Sequence, residues 1–294
     1  MSPDLAYRPG AGVLYDVMRD SEDLRHRMRP QIVHFGDVGI LRLRWFYYPV
    51  PHFCSPPNDE DKFYDLSGKI HKDKALIVDL RGNPGGLVNS LEYFIDMFFD
   101  HDMKLCDKVQ RKKTSPEVVK RAHSMYFPGK LIVLVDSESA SAAEIFARVI
   151  QLEKRGTVIG DRTSGSVMEA TGVYFASSGV EYGAEVTVAN LIMTDGNSLE
   201  HRGVNPDEVA FPQPLDLASG RDPVLARAAQ ELGVTLSPET AGKPTRGRKS
   251  STGLAASKGE QERPVCDRDT IPEFHSRINL TSRLKCRPCQ RKQK

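Results

Sequence analysis

The chain has 294 residues, enough at roughly 150 residues per domain for one large domain or two small ones. A hydrophobic fraction of 39% and a charged fraction of 27% are those of an ordinary globular protein and exclude fibrous and membrane-spanning classes. The net charge of +2 hides an asymmetry, because residues 241–294 hold 14 Lys and Arg against 5 Asp and Glu. This basic, polar segment predicts a solvated, disordered tail, and its scattered charges without interleaved aromatic residues favour no nucleic-acid partner.

The ends of the chain carry few further signals. The N-terminus has no basic segment followed by an apolar run, so no export signal is predicted, and a cytoplasmic location is expected unless the chain is a fragment of an exported protein. Five cysteines are too few and too scattered for a disulfide scaffold. Cys286 and Cys289, with Cys266 and His275, could supply four zinc ligands, but the second closely spaced pair of a zinc ribbon is missing. No metal or other cofactor is therefore predicted.

Residues 1–31 are polar and irregular apart from a short helix predicted around residues 13–25, and could be the remnant of a preceding domain. Apolar residues between Val38 and Phe46 predict a strand, and the proline-rich stretch 47–57 predicts a loop. The folded core is accordingly expected to begin near residue 32.

Two strand-turn-helix units follow. The apolar run Ala75–Leu80 leads through a glycine-rich turn into a helix that is apolar at helical spacing from Leu87 to Phe98. The run 131–136 leads through a serine-rich turn into a second helix that reaches Leu152. Buried apolar strands that alternate with helices predict an α/β layered fold with a largely parallel sheet.

The remaining elements complete the predicted organisation. Later strands are expected at residues 157–160, 172–176 and 185–193, and a closing helix at Pro223–Leu232. The corresponding regions are an irregular segment (1–31), a core (32–215), a closing helix and linker (216–240) and the tail (241–294).

Both special turns should lie at the carboxyl ends of parallel strands, where ligands bind in such sheets. The turn Gly82-Asn83-Pro84-Gly85-Gly86 allows positive φ angles and brings free N–H groups close to a ligand, which suits an anion or an oxyanion. The same turn could equally be a tight connection without a ligand. The defining lysine and spacing of a phosphate-binding loop are absent.

The second turn carries Ser137, Ser139 and Ser141 at the start of a helix. One serine would suffice as a cap, and a serine in the first helical turn also feels the positive end of the helix dipole, which favours a developing oxyanion beside it. Three serines among small neighbours suggest that substrate backbone approaches closely.

Four sequence blocks in this order resemble the catalytic core of the tail-specific (carboxy-terminal processing) and tricorn-like serine proteases. The blocks are Ile77–Gly86, Val135–Phe146, Val158–Gly165 and Glu200–Asp207. The resemblance spans residues 38–211 and implies a Clp protease/crotonase-like fold, serine peptidase activity, polypeptide substrates and no cofactor.

The same resemblance assigns roles to individual residues. It implies that Ser141 is the nucleophile, with Ser137 and Ser139 capping or lining the turn. The N–H groups of Gly86 and Ala142 match the oxyanion-hole donors, which agrees with the physical interpretation of both turns. Glu200 matches the carboxylate that supports a catalytic histidine in tricorn-like members.

The general base departs from the family pattern. In the Ser-Lys branch a lysine follows the Thr-x-Gly segment, and here Ser166 stands at that place, while Lys154 should lie near the far end of the helix that starts at the nucleophile. The tricorn-like branch takes its histidine from an upstream Ser-His pair, and no such pair precedes Ser141. His52, in the proline-rich loop, is the leading substitute, with His34 and His201 as weaker candidates.

Two main functional hypotheses therefore stand: a serine endopeptidase, and a degenerate or truncated member of the same fold that binds peptides or small ligands, as in retinoid-binding relatives. Nucleic-acid binding through the tail is a third and weaker hypothesis. The resemblance is compatible with a homo-oligomer.

Overall fold

A computed structural model of the chain describes residues 30–46, 68–121, 126–177 and 180–243. The strands of these ranges are β1 (Gln31–Phe35), β2 (Val38–Arg42), β3 (Ala75–Asp79), β4 (Met103–Val109), β5 (Thr114–Val119), β6 (Lys130–Val135), β7 (Thr157–Gly160), β8 (Glu169–Ser177), β9 (Val180–Met193) and β10 (Glu208–Val209). The helices are α1 (Val88–Asp96), α2 (Ala142–Leu152), α3 (Pro214–Ala218), α4 (Pro223–Glu231) and α5 (Pro238–Ala241). None of the helices in the described ranges is long and apolar enough to cross a membrane.

A six-stranded sheet forms the centre of the fold, in the order β1-β2-β3-β6-β7-β10. Its pairs are parallel except for β1 with β2, which confirms the predicted mostly parallel sheet. Strands β3 and β6 are neighbours, with Ile77 opposite Ile132. The turns that follow these two strands therefore emerge side by side at one edge of the sheet.

The core occupies both faces of this sheet, because alternate side chains of each buried strand point to opposite faces. Leu76 and Val78 of β3 join a cluster that includes Phe46, Phe94 and Phe146. On the other face, a second cluster combines inward residues of β3 and β6 with helix α4; its members include Ile77, Ile132, Leu134, Val224 and Leu225. The closing helix predicted at Pro223–Leu232 is thus confirmed as an element that covers one face of the sheet.

A second, four-stranded sheet has the order β5-β4-β9-β8, and all its pairs are antiparallel. Strands β8 and β9 confirm the later strands predicted at residues 172–176 and 185–193 and extend beyond both. Strands β4 and β5 lie outside the predicted elements, because Met-Lys-Leu-Cys-Asp-Lys-Val and Thr-Ser-Pro-Glu-Val-Val have neither a continuous apolar run nor regular alternation of polar and apolar residues.

The start of the core differs from the prediction in detail. The strand expected from Val38 to Phe46 ends at Arg42, and Phe46 instead forms a single parallel bridge with Gly86. Strand β1 precedes β2, and the chain turns between the two strands at Gly36, whose φ is +61°. At the other end, Ala241 is the last residue of α5 and is buried, although the sequence places the start of the tail there.

Several predictions concern residues outside the described ranges. These are the helix around residues 13–25, the proline-rich loop with His52, the tail beyond residue 243 and the cysteines and histidine considered as zinc ligands.

Candidate active site

The two turns after β3 and β6 are joined by hydrogen bonds. Ser139, which is fully buried, donates from Oγ to the Leu80 carbonyl at 2.9 Å and accepts from the Asp136 N–H at 3.0 Å. Asp136 Oδ1 accepts from the Gly82 N–H at 2.9 Å. Ser139 is therefore a structural link between the turns.

Asn83 shapes the glycine turn from inside the protein. Its amide nitrogen donates to the Leu43 carbonyl at 2.7 Å, and its amide oxygen accepts from the Gly85 N–H at 2.8 Å. The Ala140 N–H donates to the Asn83 carbonyl at 2.9 Å. The turn is thereby fixed against both the segment that follows β2 and the serine turn beside it.

Gly85 and Gly86 have φ angles of +102° and +141°, a region that favours glycine. A Cβ on Gly85 would lie 2.5 Å from the Ser141 Cβ, so the glycine backbone lies directly against the candidate nucleophile. In the bridge between Phe46 and Gly86, the Phe46 N–H donates to the Gly85 carbonyl, and the Leu87 N–H donates to the Phe46 carbonyl. A parallel bridge of this kind leaves the Gly86 N–H directed away from Phe46.

Ser141 occupies the N-cap position of α2 in a strained conformation, with φ +54° and ψ −117°. Its N–H lies 2.9 Å from the Ser166 carbonyl and 3.0 Å from Glu144 Oε2. The Glu144 N–H donates to the Ser141 carbonyl at 2.9 Å, which closes the first turn of the helix. Ala142, the first helical residue, presents one of the N–H groups that a helix leaves without an internal partner.

Glu144 is a buried residue of the site to which the sequence analysis gave no role. Its carboxylate accepts hydrogen bonds from the Thr163 hydroxyl at 2.5 Å and from the N–H groups of Gly165 at 2.7 Å and Ser166 at 2.9 Å, besides that of Ser141. The spacing Ser-x-x-Glu at a helix start is the signal that could have revealed it. Glu144 thus joins the serine turn to the segment 163–166.

Glu200 lies close to the same segment. Its Oε2 accepts from the N–H groups of Val167 at 2.7 Å and Met168 at 3.2 Å. Its Oε1 lies 3.8 Å from Nε2 of His201, whose side chain is 89% exposed. The carboxylate therefore has one oxygen held by backbone and the other near an imidazole.

The other candidates for the base are placed differently. His34 lies on β1 and contacts Asp73 at 3.1 Å, near the amino ends of the parallel strands and thus at the opposite edge of the sheet from Ser141. Lys154 follows the far end of α2, about 18 Å along the helix by its rise per residue. Ser166, in place of the family lysine, pairs its hydroxyl with that of Ser164 at 3.0 Å. The structure therefore separates His34 and Lys154 from the site, and His52 lies outside the described residues.

Arg81 anchors the strand end behind the glycine turn. Its guanidinium binds both carboxylate oxygens of Asp79, at 2.8 and 2.9 Å, and both of Asp222, at 2.9 and 2.7 Å. Burial alone would raise the pKa of Asp79, but Arg81 and Arg42 outweigh this and hold that pKa below its usual value. Asp222 also caps α4 by accepting from Leu225, so the ion pair joins β3 to the helix on the far face.

Comparisons with known proteins point to a single family. The model of peptidase family S41 matches residues 37–210. A probable CtpA-like serine protease of Staphylococcus haemolyticus (strain JCSC1435) is 30% identical over 154 residues, which cover 49% of this chain and 29% of that protein. A probable CtpA-like serine protease of Staphylococcus aureus (strain COL) is 27% identical over 222 residues, which cover 69% of this chain and 41% of that protein.

A solved structure assigned to the S41 proteases, from Bacteroides fragilis NCTC 9343, is similar in fold. It has a TM-score of 0.54 at 17% identity and covers 71% of this chain and 58% of that one. The chain spans 29% and 41% of the lengths of the two staphylococcal relatives. The resemblance drawn from the four sequence blocks is confirmed, as is the Clp protease/crotonase-like fold class.

Proposed function

Because the chain belongs to peptidase family S41, we propose that it is a serine-type endopeptidase in which Ser141 attacks the carbonyl carbon of a peptide bond. The observation that carries this proposal is the strained Ser141 at the start of α2, in contact with a turn of two glycines at positive φ. A nucleophile on such a turn is presented to a substrate, while glycine allows the substrate carbonyl to approach the backbone.

The oxyanion would be bound by the N–H groups of Gly86 and Ala142. Gly86 directs its N–H away from the Phe46 bridge, and Ala142 offers the N–H of a first helical turn. Fixed donors of this kind contribute about 3 to 4 kcal/mol each to stabilisation of the transition state. The two N–H groups and the positive end of the α2 dipole would both stabilise the negative charge that develops on the substrate carbonyl oxygen.

A histidine would carry the proton. It takes the Ser141 hydroxyl proton as the new C–O bond forms and gives it to the leaving amine as the peptide C–N bond breaks; water then hydrolyses the acyl-enzyme by the same route. We assign this role to His52, with Glu200 orienting the imidazole through Oε1. His201, 3.8 Å from that oxygen, is the alternative among the described residues.

The second candidate function is a binding module that does not cleave its ligand. It is favoured by Ser166, which stands in place of the family lysine and donates its N–H to Glu144. In this alternative the glycine and serine turns bind a peptide or small anionic ligand through the same N–H groups.

Labelling with a fluorophosphonate probe, located by peptide mass spectrometry, separates the two functions. The endopeptidase requires labelling at Ser141 that is lost in Ser141→Ala and strongly reduced in His52→Ala, and kept in Ser137→Ala, which alters an exposed serine of the same turn. Loss in His201→Ala with retention in His52→Ala would move the base to His201. A folded wild-type protein that is not labelled would contradict the endopeptidase and favour the binding module.

A further inference from the structure

A group of charged side chains lies in the second sheet, where helix α1 packs against β5. Lys108 of β4 lies with its Nζ 3.0 Å from Glu117 of β5 and 2.9 Å from Glu169 of β8. Glu92 of α1 lies close enough to Glu117 for the two carboxyl groups to interact. The side chains of Lys108, Glu117 and Glu169 are each about one-fifth exposed. Solvent ions therefore screen their attraction less than that of a fully exposed pair.

The position of this group in the chain connects it with the site at two points. Glu169 directly follows Val167 and Met168, whose N–H groups hold Glu200. Helix α1, which carries Glu92, begins two residues after Gly86, the proposed oxyanion donor. A shift of either element would therefore move a group that the proposed mechanism uses.

On the basis of the proposed function, we propose that Lys108 is a positioning residue: by binding Glu117 and Glu169 together, it clamps the segment that holds Glu200 to strand β5. The helix that follows the oxyanion turn packs against β5, so the clamp also holds that helix in place. The two oxygens of Glu169 differ: Oε1 contacts the Lys108 ammonium, and Oε2 is buried without a partner in the described part of the chain. The buried oxygen makes Glu169 depend on Lys108 for stabilisation of its charge.

The clamp should respond to pH, because the carboxyl groups of Glu92, Glu117 and Glu169 lie around one ammonium, that of Lys108. Burial and the hydrogen bond and charge of Glu117 raise the pKa of Glu92 to about 7. The charged groups that act on Glu92 are Glu117 and Lys108. The same two groups, with Asp107 and Glu169, surround Cys106, whose pKa is raised to about 12 by burial and by the neighbouring carboxylates. The thiol stays neutral, so ionisation of Glu92 above about pH 7 adds a negative charge beside Glu117 and should weaken the packing of α1 on β5.

Three variants test the clamp: Lys108→Met, Lys108→Arg and Glu92→Gln, with Lys104→Met as a control from the more exposed Lys104–Asp107 pair of the same strand. The first measurement is amide hydrogen exchange of residues 165–169, which does not depend on activity. We expect about tenfold faster exchange in Lys108→Met, recovery in Lys108→Arg and no change in Lys104→Met. Wild-type exchange rates in a folded Lys108→Met protein would overturn the proposal.

The second measurement is the rate of fluorophosphonate labelling from pH 6 to pH 8.5. We expect the wild-type rate, divided by that of Glu92→Gln, to fall several-fold across about pH 7; a constant ratio would overturn the proton-dependent clamp. If Lys108→Met does not fold, the pH dependence of this ratio of labelling rates decides whether the clamp exists. If the wild-type protein is not labelled at all, the peptidase proposal fails and the exchange measurement alone decides on the clamp.

Discussion

Ser141 and Glu200 bind opposite sides of a single peptide unit. The carbonyl of Ser166 accepts from the Ser141 N–H at 2.9 Å, and the N–H of the next residue, Val167, donates to Glu200 Oε2 at 2.7 Å. Because a peptide unit is planar and rigid, two hydrogen bonds and one covalent plane fix the distance between the Ser141 backbone and the Glu200 carboxylate. The Glu200 carboxylate therefore has a structural bond on one oxygen, which leaves the other for a histidine.

This division predicts different outcomes for two substitutions of Glu200. Glu200→Gln keeps an oxygen that can accept from Val167 but removes the charge, so we expect near wild-type stability with a large loss of Ser141 labelling. Glu200→Ala also leaves two backbone N–H groups without their acceptor, and should lower the free energy of unfolding by about 2 kcal/mol. Urea denaturation and probe labelling measure the two effects. Wild-type labelling in a stable Glu200→Gln protein would show that this carboxylate supports no catalytic base.

The backbone conformation of Ser141 predicts that a glycine at this position is more stable than an alanine. A residue with a Cβ at φ +54° is strained, whereas glycine adopts this region at little cost. Ser141→Gly should therefore be more stable than Ser141→Ala by about 1 kcal/mol, and both should lose labelling. Denaturation of the two variants side by side checks this. An alanine variant that matches or exceeds the glycine variant would argue against a strained nucleophile turn.

Glu144 predicts a joint loss of stability and reactivity. A glutamine can offer only one oxygen to the four donors, and its NH₂ group would face N–H groups, so Glu144→Gln should lower the free energy of unfolding by about 3 kcal/mol. Labelling of Ser141 should fall as well, because the serine turn and segment 163–166 lose their common anchor. Glu138→Gln, at an exposed glutamate of the same turn, is the matched control and should leave both unchanged. Equal effects of the two substitutions would contradict an anchoring role for Glu144.

The parts of the fold that could be predicted from sequence are those with the strongest hydrophobic signal. Strands β3, β6 and β7 are buried on both faces and therefore show as apolar runs, and Thr157–Gly160 was predicted with the observed bounds. The two turns could be placed together because strands of a parallel sheet end at a common edge.

The parts that could not be predicted depend on contacts between distant segments. Strand β4 has the sequence Met-Lys-Leu-Cys-Asp-Lys-Val. Its Lys108 pairs with glutamates of β5 and β8, and its Lys104 is exposed to solvent. Glu144 was visible only as a helix-cap glutamate, since its partners Thr163, Gly165 and Ser166 lie about twenty residues later and meet it only in the folded chain. Periodicity reports which face of an element is buried, and says nothing about such partners.

Arg81 predicts a stability effect whose dependence on pH has a definite sign. Arg81→Met would leave Asp79, which is 6% exposed, without the cation that binds both of its oxygens, and breaking a buried pair of this kind costs about 3 to 5 kcal/mol. In the wild-type protein the pKa of Asp79 lies below its ordinary value of 3.8, so the stabilisation is present above that pH and is lost as the pH falls through the lower, folded-state pKa. In the variant the buried carboxyl is easier to protonate, so lowering the pH should relieve part of the damage.

The difference in unfolding free energy between wild type and Arg81→Met should therefore be largest near neutral pH and should shrink as the pH falls towards 3. Lys74→Met is the control, because the Lys74–Asp37 pair is exposed and an exposed ion pair contributes little to stability. Denaturant titrations of the three proteins at several pH values measure the differences. A constant difference across this range would mean that Asp79 keeps its ionisation behaviour without Arg81, and that Arg42, 3.4 Å away, suffices to hold its charge.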